Sequence, residues 1–334
     1  MRGLKLRQSK LVKQIGELFH AASRILVITH IRPDGDAVGS LLGLGLALQE
    51  SGKQVEMVVS DGVPQSLRHL PGSEMVRYSP SGNFDLIVVV DCSDLPRTGK
   101  ALLDYGAPDI SIDHHATNQL FARLNLIDLK AASTTQILAS CLKAWRLPLT
   151  KAVAENLLTG LITDTIGFRT ANVTPQVMRV AARLMEAGGN LSDLYHKGLI
   201  NRSYEALRFW GAGLSKLEKQ GSIIWTTLTM ADRQAAGYGG RDDADLINLL
   251  TTVNDARIFI VFVEQPNGNV KVSWRAQPGV DISQLAMEFG GGGHPAASGA
   301  EIVGNLADVR ASVLERTIQL FSNHHQHQLD GIIK

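Results

Sequence analysis

Cysteine is nearly absent from this sequence. Two thiols, Cys92 and Cys141, in 334 residues exclude a disulfide framework and imply a reducing compartment. Cys92 reads as a small residue at a strand end rather than as a reactive group. An excess of either charge is missing too: 33 Lys and Arg against 32 Asp and Glu leave a formal net charge of +1. No global basic field exists to hold long nucleic acid, so a phosphate-bearing partner must be captured locally. Aromatic residues are 5% of the chain, with no basic or aromatic-rich extension of the kind that tracks a long DNA strand. No apolar run reaches the ~18 residues that a membrane span needs. The basic stretch Met1 to Lys10 lacks the apolar core of a signal peptide. The expectation is a cytoplasmic protein without a membrane partner.

What is present is apolar content. Hydrophobic residues at 44% and charged residues at 19% describe a globular chain, and its length suits two domains. Helical spacing over 11–22 leads into Arg24 to Thr29, a nearly continuous apolar run typical of a buried parallel strand. His30 ends it, Pro33 and Gly35 force a loop, and a Leu-, Ala- and Gly-rich helix runs from about Ala37 to Glu50. Strands are expected at Val55 to Ser60, Phe84 to Val90 and around Ile110 to Ile112, an alternation that predicts a parallel sheet with covering helices. Helices follow over 133–146, 151–164 and 174–187. The stretch 190–218 reads as more helix, with Tyr204, Leu207, Leu214 and Leu217 on its apolar face and Phe209 and Trp210 off it.

Beyond Gln220-Gly221 the pattern changes. Strands are predicted over 223–229, 257–264, 270–275 and 299–303, the middle two joined at Pro266-Asn267-Gly268-Asn269, a strong hairpin signal. Helices are predicted over 242–252, 281–288 and 305–321. The fold class is therefore α/β: an N-terminal parallel-sheet domain (1–189), a helical connector (190–218), a smaller C-terminal α/β domain (219–322) and a tail (323–334). The tail's His324, His325 and His327 are weak metal ligands at most, and a disordered, solvated end is the plainer expectation.

The chemistry gathers at strand ends. His30-Ile-Arg-Pro-Asp34-Gly-Asp36 follows the first strand, Asp91 follows Val88-Val-Val90, and Asp113-His114-His115 follows Ile110 to Ile112. In open α/β sheets, sites form outside the carboxyl ends of the strands. A Pro-Asp-Gly-Asp turn alone is an ordinary surface turn. A carboxylate such as Asp91, ending an all-apolar strand, needs a cation or a strong donor. With His114 and with Asp164 after Leu161-Ile-Thr163, the hard oxygens and imidazoles number enough for two divalent cations if one carboxylate bridges them.

Four stretches make a resemblance specific: Thr29-His30-Ile-Arg-Pro-Asp34-Gly-Asp36-Ala-Val-Gly39-Ser40, Val90-Asp91-Cys-Ser-Asp94, Asp113-His114-His115-Ala-Thr-Asn118 and Thr159-Gly160-Leu-Ile-Thr163-Asp164-Thr165. Over residues 15–320 the chain resembles the DHH phosphoesterase superfamily. Ser273-Trp274-Arg275 and Gly290-Gly-Gly-Gly-His294-Pro-Ala-Ala-Ser-Gly299 resemble the associated substrate domain of the same proteins. The compact layout is most similar to the NrnA-like oligoribonuclease/pAp phosphatase branch.

The resemblance implies one ion on His30, Asp34 and Asp91 and another on Asp36, Asp91, His114 and Asp164, with Asp91 bridging. Manganese is the implied metal, magnesium the alternative. Two such ions, about 3.5–4 Å apart, activate water and clamp an in-line phosphoryl displacement. Asp91 and His115 are the expected catalytic residues, with His115 facing the substrate phosphate and Asp113 orienting a histidine. Arg275, Gly291, Gly292, Gly293 and His294 are the expected substrate contacts. Glycine runs are tight turns by default, but successive N–H groups can also form an anion nest, and Arg grips phosphate through paired hydrogen bonds. Gln136 stands where the family commonly has Glu, and Arg97 and Arg169 lie near the metal motifs; none of the three is assigned a role. The expected partners are short RNA oligonucleotides or the small nucleotides pAp and pApA. Cyclic di-AMP hydrolysis and a turnover-free nucleotide-binding module are the alternatives, and self-association as a homodimer is left open.

Overall fold

The computed structural model describes the backbone of residues 2–330 and the side chains of residues 9–320. The chain divides into two compact units, Met1–Asn201 and Arg202–Lys334, so the boundary falls within the stretch read as a connector. Among the described residues no helix is long and apolar enough to cross a membrane.

The first unit is a parallel sheet covered by helices. Its elements are α1 (Arg2–Ala21), β1 (Arg24–Ile28), α2 (Gly35–Glu50), β2 (Gln54–Val58), β3 (Leu86–Val90), β4 (Ile110–Asp113), β5 (Leu124–Ile127), α3 (Thr134–Cys141), α4 (Lys151–Asp164), α5 (Pro175–Glu186) and α6 (Leu191–Tyr195). The five strands run parallel in the order β2-β1-β3-β4-β5. Every residue of β3, Leu-Ile-Val-Val-Val, is buried, because a central strand covered on both faces has no wet side. The same holds for α2, buried from Gly35 to Leu48.

Small residues let α2 and α4 approach closely. A methyl group on Gly39 would come within 2.5 Å of the Asn156 carbonyl oxygen, and one on Gly160 within 2.9 Å of Asp36 Oδ1. Strand β5 was not anticipated. Helix α3 stops at Cys141, five residues short of the expected end, where the chain turns through Leu142 to Trp145 instead.

The second unit comprises α7 (Tyr204–Leu214), β6 (Glu218–Gln220), β7 (Ile223–Leu228), α8 (Met230–Ala236), α9 (Leu246–Leu250), β8 (Ile258–Glu264), β9 (Val270–Ala276), α10 (Ser283–Glu288), β10 (Gly292–His294), β11 (Ala297–Ile302) and α11 (Leu306–Asp330). Its six strands lie in the order β10-β11-β9-β8-β7-β6. Only β7 and β8 pair in parallel.

Three expectations change here. The apolar face assigned to α7 is the exposed one: Tyr204 is 72% and Leu207 52% accessible, whereas Ala206, Phe209 and Gly213 are buried. Positions 206, 209 and 213 share a helical face just as well, but two of them are too small to stand out, and Phe209 stacks on Tyr238. The helix expected over 242–252 is confined to Leu246–Leu250, entered through Ala244 and Asp245 in the left-handed region. The last helix continues to Asp330, past the predicted end, while the side chains of His324, His325 and His327 lie outside the described residues.

Candidate active site

Parallel pairing brings three strand ends to one edge. Ile28 aligns with Val89 across β1 and β3, and Val90 with Ile112 across β3 and β4. The residues that follow, His30, Asp91 and Asp113 to His115, therefore emerge side by side. Helix α2 begins at the same edge: Asp34 caps it, its Oδ1 accepting the N–H groups of Asp36 and Ala37 at 3.1 and 3.0 Å. Asp164, the last residue of α4, lies opposite.

Among the donor groups within this edge, two share a carboxylate and match the expected ligand sets, His30 with Asp34 and Asp91, and Asp36 with Asp91 and His114. Asp91 belongs to both. His30 Nε2 lies 3.8 Å from Asp91 Oδ2, and His114 Nε2 lies 3.7 Å from Asp36 Oδ2, 3.7 Å from Asp91 Oδ1 and 3.5 Å from Asp164 Oδ2. These gaps exceed hydrogen-bond length. Donors bonded to one ion at ~2.1 Å stand about 3 Å apart, so a small contraction closes either group on a cation. The four carboxylates and two imidazoles expected as ligands are thus brought together. Asp34 is at the exposed rim and Asp164 is partly exposed, while His30, Asp36, Asp91 and His114 are buried.

The electrostatics ask for a cation. Burial, followed by the charges of Asp36, Asp34, Asp113 and Asp164, pushes the Asp91 carboxyl well above the ordinary carboxylate range. Burial likewise lowers His30, with Asp34 opposing the shift. For Asp34, enclosure by the site works against its charge. His30, the Ala37 N–H, His115 and Arg97 outweigh that and hold it below its usual value. A divalent ion would relieve the crowding that isolates Asp91, and the donor set of carboxylate oxygen and imidazole nitrogen suits one.

Asp91 also sits at φ +54°, a left-handed conformation that side chains other than Asn and Asp rarely adopt. Strain of this kind collects at functional positions. The strained backbone stays tied to the sheet by Asp91 N–H, which donates to Ile112 O at 2.9 Å.

The remaining imidazole is oriented rather than free to turn. Asp113 Oδ1 lies 2.7 Å from His115 Nδ1, and the same carboxylate accepts the His114 N–H at 2.8 Å and the Asn118 amide at 2.7 Å. Burial opposes ionisation of Asp113, but the His115 hydrogen bond, the His115 charge and Asn118 prevail and bring it down to about 2. With its Nδ1 proton held by Asp113, His115 presents Nε2. His30 Nδ1 lies 2.8 Å from Ile31 O, and a proton there leaves the Nε2 lone pair facing Asp91.

Residues outside the expected set also belong to the site. Thr134 Oγ1 donates to Asp91 Oδ1 at 2.9 Å, and Asp36 accepts from Thr134 N, Thr135 N and Thr135 Oγ1. The sequence signal for them was Ser133 heading a helix. Arg97, left without a role, places Nη2 3.2 Å from His30 Nδ1. Gln136 does not face the ligands; its side chain accepts the Ala132 N–H at 2.6 Å.

Apart from His115, the expected substrate residues lie in the second unit. Arg275 on β9 pairs with Ala297 on β11, which pairs with His294 on β10, so Arg275 and His294 share one row across three strands. Arg275 Nε donates to Asn248 Oδ1 at 3.3 Å. Part of the glycine run is engaged within the unit. The N–H groups of Gly290 and Gly291 donate to Met287 and Ala286 of α10, closing that helix, while Gly292 and Gly293 lie in β10 as the outermost strand. Gly291 is glycine because a methyl group would come within 2.1 Å of Gly299 O, and Gly293 adopts φ +141°.

Comparison with known proteins sets this geometry in context. Residues 24–161 match the model for the DHH family, N-terminal domain, and residues 234–323 that for the DHHA1 domain. The bifunctional oligoribonuclease and PAP phosphatase NrnA of Thermus thermophilus is 35% identical over 301 residues, 87% of this chain and 88% of the relative. The protein of the same description from Bacillus subtilis is 28% identical, over 83% of this chain and 89% of its own. Among solved structures, an exopolyphosphatase-related protein from Bacteroides fragilis superposes with a TM-score of 0.83 at 25% identity, covering 93% of this chain and 96% of that one.

Proposed function

The chain belongs to the DHH family of phosphoesterases, with the DHH and DHHA1 domains in one polypeptide, and on that premise we propose that it hydrolyses short oligoribonucleotides to mononucleotides and removes the 3′-phosphate of pAp, using two divalent cations with manganese as the native ion. The observation that carries this reading is the shared carboxylate, Asp91, common to both donor groups at the strand ends. His30, Asp34 and Asp91 hold one ion. Asp36, Asp91, His114 and Asp164 hold the other. When bound, the ions supply Lewis acidity that lowers the pKa of water and neutralises phosphoryl charge.

The side chains supply the rest of the chemistry. Thr134 fixes Asp91 from behind, and Asp113 fixes His115 through Nδ1. Water forms the new bond to phosphorus and releases its proton to solvent as the bond to the leaving oxygen breaks. His115 Nε2 delivers a proton to that oxygen and regains one from solvent. Arg275, Gly292, Gly293 and His294 bind the far end of the substrate, where a guanidinium suits a terminal phosphate.

The test is a panel of RNA lengths from the dinucleotide upward, with pAp, pApA and cyclic di-AMP, assayed with manganese, with magnesium and with EDTA. The expected result is metal-dependent turnover that is fastest on the shortest RNAs and includes pAp. Rates that rise with RNA length, or turnover that survives EDTA, would overturn the proposal. Preference for cyclic di-AMP over every RNA would reassign the substrate.

A further inference from the structure

We propose that the first turn of α3, through the hydroxyls of Thr134 and Thr135, is the positioning device that pre-sets the two buried carboxylates, Asp91 and Asp36, for cation binding. The inference rests on the metal-centre reading above and adds to it residues that touch neither ion nor substrate.

Asp36 and Asp91 reach the site from different elements, the first turn of α2 and the end of β3. Nothing in either element fixes one carboxylate relative to the other. The α3 turn does. Asp36 Oδ2 accepts the Thr134 N–H at 2.6 Å, and its Oδ1 accepts the Thr135 N–H at 3.0 Å and the Thr135 hydroxyl at 2.7 Å. One residue earlier on the same turn, the Thr134 hydroxyl donates to Asp91 Oδ1 at 2.9 Å. Two adjacent residues thus hold two carboxylates that come from different elements.

The hydrogen positions follow without ambiguity. A carboxylate oxygen only accepts, so Thr135 must donate to Asp36. Ser133 Oγ, 2.7 Å from Thr135 Oγ1, must then donate to Thr135, and it accepts the Gln136 N–H at 3.0 Å. The relay runs one way, from Gln136 through Ser133 and Thr135 to Asp36, and each member is buried. Packing holds it in place: the Thr135 methyl lies where a side chain on Gly160 would otherwise sit. Serine in place of threonine keeps the hydroxyl; valine keeps the shape and loses the donor.

The two hydroxyls serve different carboxylates, so their loss must look different. Asp91 is common to both donor groups, whereas Asp36 belongs to one. Thr134→Val should therefore weaken both cation-binding steps, and Thr135→Val only one. Loss of a partner behind a metal ligand typically weakens affinity about 10–100-fold.

The experiment is calorimetric titration of manganese into full-length, metal-stripped wild type, Thr134→Val, Thr134→Ser and Thr135→Val, with melting temperatures recorded in EDTA. Expected are about 10-fold or greater losses on both steps for Thr134→Val, on one step for Thr135→Val, near wild-type affinity for Thr134→Ser, and turnover in Thr134→Val that recovers at high manganese. Wild-type affinity in both valine variants would overturn the positioning role. So would equal losses in Thr134→Ser and Thr134→Val, which would mark a packing effect. If wild type itself bound no manganese, the metal-centre reading would fall first, and this inference with it.

Discussion

Replacing Asp91 by Asn should make the metal-free protein more stable and the metal-loaded protein less so. The carboxyl is 1% exposed, and four acidic neighbours join burial in resisting its ionisation. Its direct help is a hydroxyl hydrogen bond from Thr134, with the imidazoles of His30, His114 and His115 at 3.8, 3.7 and 3.8 Å. The amide of Asn removes the charge, can still accept from Thr134, and tolerates the φ of +54° better than other side chains. A poorly satisfied buried polar group costs about 1–3 kcal/mol, more when it is charged, and the neutral amide lowers that cost. Taking ~2 kcal/mol, and about 2–4 °C per kcal/mol for a unit of this size, melting in EDTA should rise by about 4–8 °C. Because the folded-state pKa is raised, the native charge penalty grows as pH climbs from the ordinary carboxylate value through the folded one. The Asn advantage should therefore be full at high pH and vanish toward pH ~4. Manganese at a hundred times its Kd stabilises by about 2.7 kcal/mol per site, a gain the wild type keeps and the variant loses. Differential scanning fluorimetry with EDTA and with manganese reads both signs. A lower apo melting temperature for Asp91→Asn, or an undiminished manganese shift, would refute the reasoning.

Gly160→Ala would gain helix propensity in α4 on a surface, but here the added methyl meets Thr135 and Asp36. Manganese affinity should fall about 10-fold or more, with ~2 kcal/mol lost in EDTA melting, both measured on one preparation. Asp113, held at about 2 against an ordinary 3.8, contributes stability that is full above pH ~4 and lost as pH falls toward ~2. Acid titration of unfolding should show the wild-type advantage over Asp113→Asn, about 2 kcal/mol at neutral pH, shrinking across that window. Arg275→Ala should raise KM for dinucleotides far more than for a small artificial phosphodiester; equal losses on both in steady-state kinetics would remove Arg275 from the substrate end.

Sequence patterning carried the parallel sheet because its strands are unambiguous. Ile25 to Ile28 and Leu86 to Val90 are apolar without interruption, and only a two-sided core asks for that. The candidate ligands stood out for a related reason: a charged residue directly after such a strand has few roles that do not involve a site. Where burial is achieved by small residues the pattern fell silent. Ala206 and Gly213 bury the inner face of α7, yet the larger Leu207 and Leu214 on its outer face gave the stronger apolar signal. The glycine run is ambiguous in the opposite sense. Its composition suggested a nest, but an edge strand packed against Gly299 needs the same absence of side chains.

The silence over Thr134 and Thr135 has a different origin, and it bears on how such a centre is built. Metal ligands are chemically distinctive and can be picked out one at a time. Residues that orient them are ordinary hydroxyls whose meaning depends on partners 43 and 99 positions away. The α3 turn is identifiable as a helix start from Ser133, but only pairing across the sheet shows that its amides cap Asp36 as well as the helix. A buried carboxylate held by two amides and a hydroxyl is ordered before any cation arrives, which reduces the conformational freedom that binding must remove. The same reasoning explains why α2 and α4 carry glycines at 39 and 160, where larger residues would strengthen an isolated helix: the helices must come close enough for Asp36, Thr135 and Asp164 to share one edge of the sheet, and every methyl group added between them would push the cage open.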